Sequence, residues 1–255
     1  MKIHFVKKTR TSLLFILLAI AMFACPLRCL ISMEIRHPLL KDSIKAVLFD
    51  HDDTLVATIQ AKWAQHKYIA KTFYNKHLTD EEIRIHWGKP LTVLITHLYE
   101  TENVAMAMSY NIAARQDFPK SLFDDSIETI SSFRKAGVKV GFVTATTRSS
   151  LENDFRTLHI SENLFDYIQT EEDTKYHKPD FRVFEPTIEW LAEQGIKPCE
   201  VVYVGDSLKD MEAAVGAEFH FIGVCTGLIT PEEFEKHNVG AIKRLAELIP
   251  WAENY

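Results

Sequence analysis

From residue 44 onward, short apolar runs rich in β-branched residues end at polar residues, and a helical pattern follows each one. No other feature constrains the fold as much. Ile44–Phe49, Lys139–Val143, Val201–Val204 and Phe219–Val224 are near-continuous apolar runs, and Tyr167–Gln169 is a weaker one. A strand with one wet face alternates apolar and polar residues, so continuous runs predict strands covered on both faces. Helical spacing near 126–136, 148–158, 181–194 and 209–217 fills the intervals. Alternation of this kind predicts an α/β fold, a Rossmann-like parallel sheet with flanking helices.

The interval 57–118 is different, because it holds no convincing strand. Ile59, Trp63, Ile69 and Phe73 recur at helical spacing, and Thr79 with Glu82 makes a capping box for a second helix. Leu91–Tyr99 is a further apolar helix. The spacing predicts a small all-α domain over 57–118, inserted into an α/β body formed by 44–56 and 119–255. Thr230-Pro231-Glu232-Glu233 signals another helix start, with Thr230 as cap and Pro231 at the first helical position. The aromatics Trp63, Phe73 and Trp87 read as packing within the inserted domain, and His66, His77 and His86 as residues on helix surfaces.

Composition narrows the function. With 47% hydrophobic and 25% charged residues, the chain is neither disordered nor a disulfide scaffold. Its net charge is −6, without a basic stripe or arginine-rich arm, which argues against nucleic acid as a partner. Of the four cysteines, Cys25 and Cys29 lie near the N-terminus, while Cys199 and Cys225 form no CxxC and no zinc pattern. Residues 1–32 stand apart: Lys2, Lys7, Lys8 and Arg10 precede a thirteen-residue apolar run from Leu13 to Cys25. That run is shorter than the about 20 residues a spanning helix needs. Three readings stay open. Translation starts at Met33 and the protein is cytoplasmic; the segment is an uncleaved anchor; or it is an export signal, cleaved at a poor lipoprotein-type box, Met22-Phe23-Ala24-Cys25. A membrane is a partner only if residues 12–31 are retained and inserted.

In open α/β sheets, ligands bind outside the carboxyl ends of the strands. Asp50-His51-Asp52-Asp53-Thr54 follows the first run, Thr144 the second, Lys178-Pro179 the third, and Gly205-Asp206-Ser207, with Asp210 beyond, the fourth. Clustered carboxylates repel one another unless a cation neutralises them, and hard oxygen donors suit Mg2+. A carboxylate can also attack phosphorus to give an aspartyl-phosphate, while a second one two residues on moves the proton. A lysine and a threonine would hold the phosphoryl oxygens.

Val47-Leu48-Phe49-Asp50-His51-Asp52-Asp53-Thr54-Leu55 resembles the first motif of the haloacid dehalogenase-like hydrolase superfamily. Thr144 after Gly141-Phe142-Val143 resembles the second, His177-Lys178-Pro179-Asp180 the third, and Val204-Gly205-Asp206-Ser207-Leu208-Lys209-Asp210 the fourth. The helical insert resembles the cap of the phosphoglycolate phosphatase-like branch. The resemblance implies Asp50 as nucleophile and Asp52 as general acid/base, with Thr144 and Lys178 binding the phosphoryl group. It implies Mg2+ held by Asp50, the backbone carbonyl of Asp52, and Asp206, with Asp210 at or beside the metal.

Family members lacking an acid at the position of Asp52 include dehalogenases and phosphonate-cleaving enzymes, so Asp52 favours hydrolysis of a phosphate ester or anhydride of a small metabolite. Two positions depart from the pattern: Asp53 stands where glycine is commonest, and Phe181 where proline is frequent. Trp87-Gly88-Lys89-Pro90 resembles the cap loop that reaches over the site, which makes Lys89 a candidate contact for the distal part of the substrate. His51 and His177 flank the motif residues and are given no role beyond lining the site. Two other functions remain compatible with the sequence: a sugar phosphomutase of the same superfamily, and a non-catalytic, membrane-anchored binding protein on this fold.

Overall fold

The structure, a computed structural model, describes residues 44–252, and the expectations for residues 1–32 lie outside them. The chain enters on β1 (Ala46–Phe49) and leaves the body through the short β2 (Val56–Ala57). Four helices follow: α1 (Ile59–Tyr74), α2 (Asp80–His86), α3 (Leu91–Tyr99) and α4 (Val104–Ala114). The chain returns on β3 (Ser121–Leu122), which pairs antiparallel with β2, so the outgoing and incoming linkers form one two-stranded ribbon. Then come α5 (Ser126–Lys135), β4 (Lys139–Val143), α6 (Arg148–Thr157), β5 (Tyr167–Gln169), α7 (Glu185–Glu193) and β6 (Val201–Gly205). The chain continues through α8 (Leu208–Gly216), β7 (His220–Val224), α9 (Pro231–Lys236), β8 (Gly240–Ile242) and α10 (Ile249–Ala252).

The main sheet has the order β5-β4-β1-β6-β7-β8, and every pair in it is parallel. Alternate side chains of a strand point to opposite faces. Val47 and Phe49 accordingly join a cluster with Ile130, Phe133, Phe142, Leu151 and Phe155, under α5 and α6. Ala46 and Leu48 join one with Phe184, Leu191, Tyr203, Met211 and Phe234, under α7, α8 and α9. Both faces of β1 are buried, which is why its sequence is continuously apolar. Each large side chain buried there contributes about 1.5–3 kcal/mol.

The four inserted helices pack around their own cluster of Trp63, Ile69, Ile83, Leu94, Ile95, Leu98 and Tyr99. The expected capping box starts α2: Thr79 accepts from Glu82 N at 3.2 Å and Glu82 accepts from Thr79 N at 2.7 Å. Thr230 caps α9 in the same way.

Some expectations need correction. His66 is buried, 2% exposed, because its Nδ1 lies 2.7 Å from the Tyr99 hydroxyl inside the helical cluster. Phe73 is 45% exposed and stacks flat on Tyr110 at 3.8 Å, on the surface rather than in the core. The helix expected over 181–194 opens with a 3-10 turn at Phe181–Phe184, and the α-helix begins only at Glu185. Pro186 lies in the first turn of α7, where its missing N–H leaves no intrahelical hydrogen bond unmade. Among the described residues, no helix is long and apolar enough to cross a membrane.

Candidate active site

Strands β4, β1 and β6 lie side by side, and Thr144, Asp50 and Asp206 directly follow them. Asp50 N donates to Val204 O at 2.9 Å and Thr144 N to Gln169 O at 3.0 Å, so the ladders hold the backbone one residue past each strand. Carboxylate oxygens of Asp50, Asp206 and Asp210 all lie within 4.8 Å of one another. Lys178 reaches in from the loop after β5, with its ammonium 2.7 Å from both Asp50 and Asp210. It also donates to the Tyr203 hydroxyl at 2.5 Å and to Val143 O at 3.3 Å.

Local sequence makes this packing possible. Ser207 caps α8, and Asp210 answers from the third helical position, its Oδ2 accepting from Ser207 N at 3.2 Å and from the Ser207 hydroxyl. That leaves Oδ1 of Asp210 facing Lys178. A Cβ on Gly205 would sit 2.6 Å from Asp210 Cβ, and one on Gly227 would collide with Asp206. Asp53 adopts φ 56°, a left-handed conformation that aspartate tolerates better than most residues. Its carboxylate accepts from Thr58 N at 3.0 Å and Ile59 N at 2.8 Å, capping α1 in a way glycine cannot.

The electrostatics report excess negative charge. Burial, reinforced by Asp210, pushes Asp50 up to about 6 even with Lys178 beside it. Burial, together with Asp210 and Asp50, pushes Asp206 well above the usual carboxylate range. Burial works against the charge of Lys178, but Asp210 and Asp50 outweigh it and hold the ammonium protonated. Three hard oxygen donors with one lysine between them fit a divalent cation such as Mg2+.

Asp52 is held separately. Its Oδ1 accepts from Thr58 Oγ1 at 2.5 Å and from Lys120 Nζ at 2.7 Å, and its Oδ2 from Thr146 Oγ1 at 2.7 Å. Burial opposes its charge, yet Lys120 keeps the carboxyl far below its usual range. Lys120 also donates to Asp154 Oδ2 at 2.8 Å, and His51 Nε2 lies 3.1 Å from the same oxygen. His51 is thus more than a lining residue. It is wholly buried, edge-on to Phe142, and its Nδ1 has no partner among the described residues. Thr58, Lys120, Thr146, Asp154 and Tyr203 were missed by sequence reasoning. Only Tyr203 left a signal, a hydroxyl in the middle of an apolar strand.

Thr144 is 4% exposed, and its hydroxyl accepts from Thr146 N at 3.0 Å. Lys89 is brought to none of these groups by a hydrogen bond or ion pair. Its ammonium lies 3.0 Å from His86 Nδ1 on the exposed α2–α3 loop. That loop is tied to α8 by Lys209, which donates to Gly88 O at 3.0 Å.

A parallel sheet with two carboxylates at the end of β1, a threonine after β4, a lysine after β5 and acids after β6 defines a class of hydrolase. Residues 47–224 match the haloacid dehalogenase-like hydrolase family, and the chain belongs to that family. It is 31% identical over 184 residues to the PpaX protein of Clostridium perfringens, covering 71% of this chain and 84% of that one. The pyrophosphatase PpaX of Bacillus velezensis is 27% identical over 184 residues, covering 71% and 83%. Among solved structures, a haloacid dehalogenase-like hydrolase from Bacteroides fragilis superposes with a TM-score of 0.66 at 25% identity, covering 80% of this chain and 99% of that one.

Proposed function

We propose that the protein is a Mg2+-dependent phosphatase that hydrolyses a small phosphomonoester or phosphoanhydride through an aspartyl-phosphate on Asp50. The observation that carries this reading is the placement of Asp50, Lys178, Asp206 and Asp210 at adjoining strand ends, with a separately held Asp52 two residues from Asp50. The pyrophosphatase name of a relative supports the anhydride arm.

In this reading, the incoming phosphoryl anion raises the proton affinity of Asp52, so Asp52 enters the step protonated. A carboxylate oxygen of Asp50 attacks phosphorus while the bond to the leaving oxygen breaks, and Asp52 supplies the proton that oxygen takes up. Asp52 then removes a proton from water as the water oxygen attacks the phosphorus, releasing phosphate and restoring Asp50. Lys178 and the Thr144 hydroxyl hold the phosphoryl oxygens as charge spreads over them. Asp50, Asp206, Asp210 and the backbone carbonyl of Asp52 would hold the Mg2+, which when bound neutralises the phosphoryl charge and lowers the repulsion between two anions. Residues 57–118 act as a cap on the body formed by 44–56 and 119–255, shielding the aspartyl-phosphate from stray water. Lys89, on the loop beside α8, reaches the distal end of the substrate.

The test is phosphate release by the full-length chain across a panel of phosphometabolites and pyrophosphate, with Mg2+ or with EDTA. Release that needs Mg2+ and is lost in Asp50→Asn is expected, because an amide is a far poorer nucleophile. Near-normal turnover by Asp50→Asn overturns the mechanism.

A further inference from the structure

Asp52 marks the side of the site where the leaving group departs, so whatever stands next to Asp52 meets the part of the substrate beyond the scissile oxygen. Thr58, whose hydroxyl holds Asp52, directly precedes α1. Lys62 is four residues further on, its N donating to Thr58 O at 2.9 Å, so the two side chains lie on one face a single helical turn apart.

Lys62 is half-buried and makes no ion pair among the described residues; its ammonium donates only to Gln65 Oε1 at 3.2 Å. Gln65 is itself 1% exposed and fixed from behind, its Nε2 donating to Asn111 O at 2.6 Å. The lysine is therefore aimed by a buried amide rather than neutralised by a carboxylate. Burial, with the charges of Lys120 and Arg115 added, pushes it down to about 8. Arg115 also makes no ion pair among the described residues, whereas Lys120 is spent on Asp52 and Asp154. Lys62 thus carries a charge that pairs with no carboxylate among the described residues, and an incoming anion would relieve its repulsion with Lys120.

We infer that Lys62 determines specificity by binding an oxyanion carried on the leaving group. The substrates are then phosphate compounds whose leaving group bears a phosphate or a carboxylate close to the scissile oxygen. This inference rests on the function proposed above, since it takes Asp52 as the proton donor to that oxygen.

The experiment compares kcat/KM of the full-length wild type, Lys62→Met and Lys62→Arg on pyrophosphate, phosphoglycolate and phenyl phosphate. Lys62→Met is expected to lose about tenfold more on the two charged leaving groups than on the phenyl ester, and Lys62→Arg to recover most of that loss. Whichever charged compound shows the larger loss tells phosphate from carboxylate. An equal loss on all three compounds, or equal activity of wild type and Lys62→Met on each, overturns the inference.

Calorimetry of pyrophosphate with Asp50→Asn, alone and combined with Lys62→Met or Lys62→Arg, gives an answer without turnover. Binding weakened about tenfold by Met and kept by Arg supports the subsite even if no compound is hydrolysed, a result that would count against the phosphatase reading alone. Binding untouched by Lys62→Met overturns the subsite.

Discussion

Both oxygens of Asp52 accept hydrogen bonds, three among the described residues, and the one charged donor among those three is Lys120. Lys120 sits on the linker that returns from the inserted helices, directly before β3. It bridges Asp52 to Asp154, so a neutral side chain there would leave two partly buried carboxylates facing each other. Removing one partner of a buried charged pair costs more than the pair contributes, because the remaining charge is stranded. Lys120→Met is expected to lower kcat about 100-fold on alkyl phosphates, the low end of a general acid/base contribution. The loss should shrink on p-nitrophenyl phosphate, whose leaving oxygen needs little proton assistance. Steady-state kcat across esters of graded leaving-group basicity checks this, and a uniform loss would assign Lys120 to folding instead.

At the scale of elements, the join between β6 and α8 does two jobs with one residue. Oδ2 of Asp210 completes the cap of α8 with Ser207, while Oδ1 faces Lys178. Ser207→Ala should cost about 1 kcal/mol, the usual loss of a cap hydroxyl, and lower Tm by about 2–4 °C. It should also weaken Mg2+ activation, because Asp210 loses the bond that fixes its rotamer. A thermal melt and a Mg2+ titration of activity, run on one preparation, read the two effects separately.

The same join shows what could be read from the residues. β1, β4 and β6 are buried on both faces, so burial wrote itself into continuous apolar runs, and the acids that follow them stood out. The weak run at Tyr167–Gln169 also proved to be a strand, at the edge of the sheet. β2 and β3 are two residues each and β8 three, too short to carry a period. Helix α4 hid its inward face in Ala107, Asn111 and Ala114, which are not bulky apolar residues. Lys120 and Asp154 meet across 34 positions, and local pattern holds no information about such a pairing.

For the whole molecule, His66 couples folding to pH. It is buried among the inserted helices, bonded to Tyr99, and burial together with the nearby Lys62 charge pushes it down to about 4. An unfolded histidine titrates near 6.5. Between those values the unfolded chain binds a proton that the folded chain refuses, so stability falls as pH drops from about 6.5 to about 4. The full loss is about 3 kcal/mol at most, from 1.36 kcal/mol per pKa unit. Asp50, pushed to about 6 by burial, and Asp53, pushed to about 7 by burial, act in the opposite sense. Their folded forms take up protons that unfolded carboxylates, titrating near 4, release, so they add stability as pH falls through the same window. The net slope of the wild type therefore mixes two signs, and only a difference isolates the histidine. Urea denaturation of wild type and His66→Gln at pH 7.5 and pH 5, in EDTA, should show the wild type losing more stability on acidification than the variant does. The extra loss should be about 1–2 kcal/mol, since at pH 5 the window is only partly crossed. Equal losses in the two proteins would mean that the imidazole takes up its proton inside the folded helices.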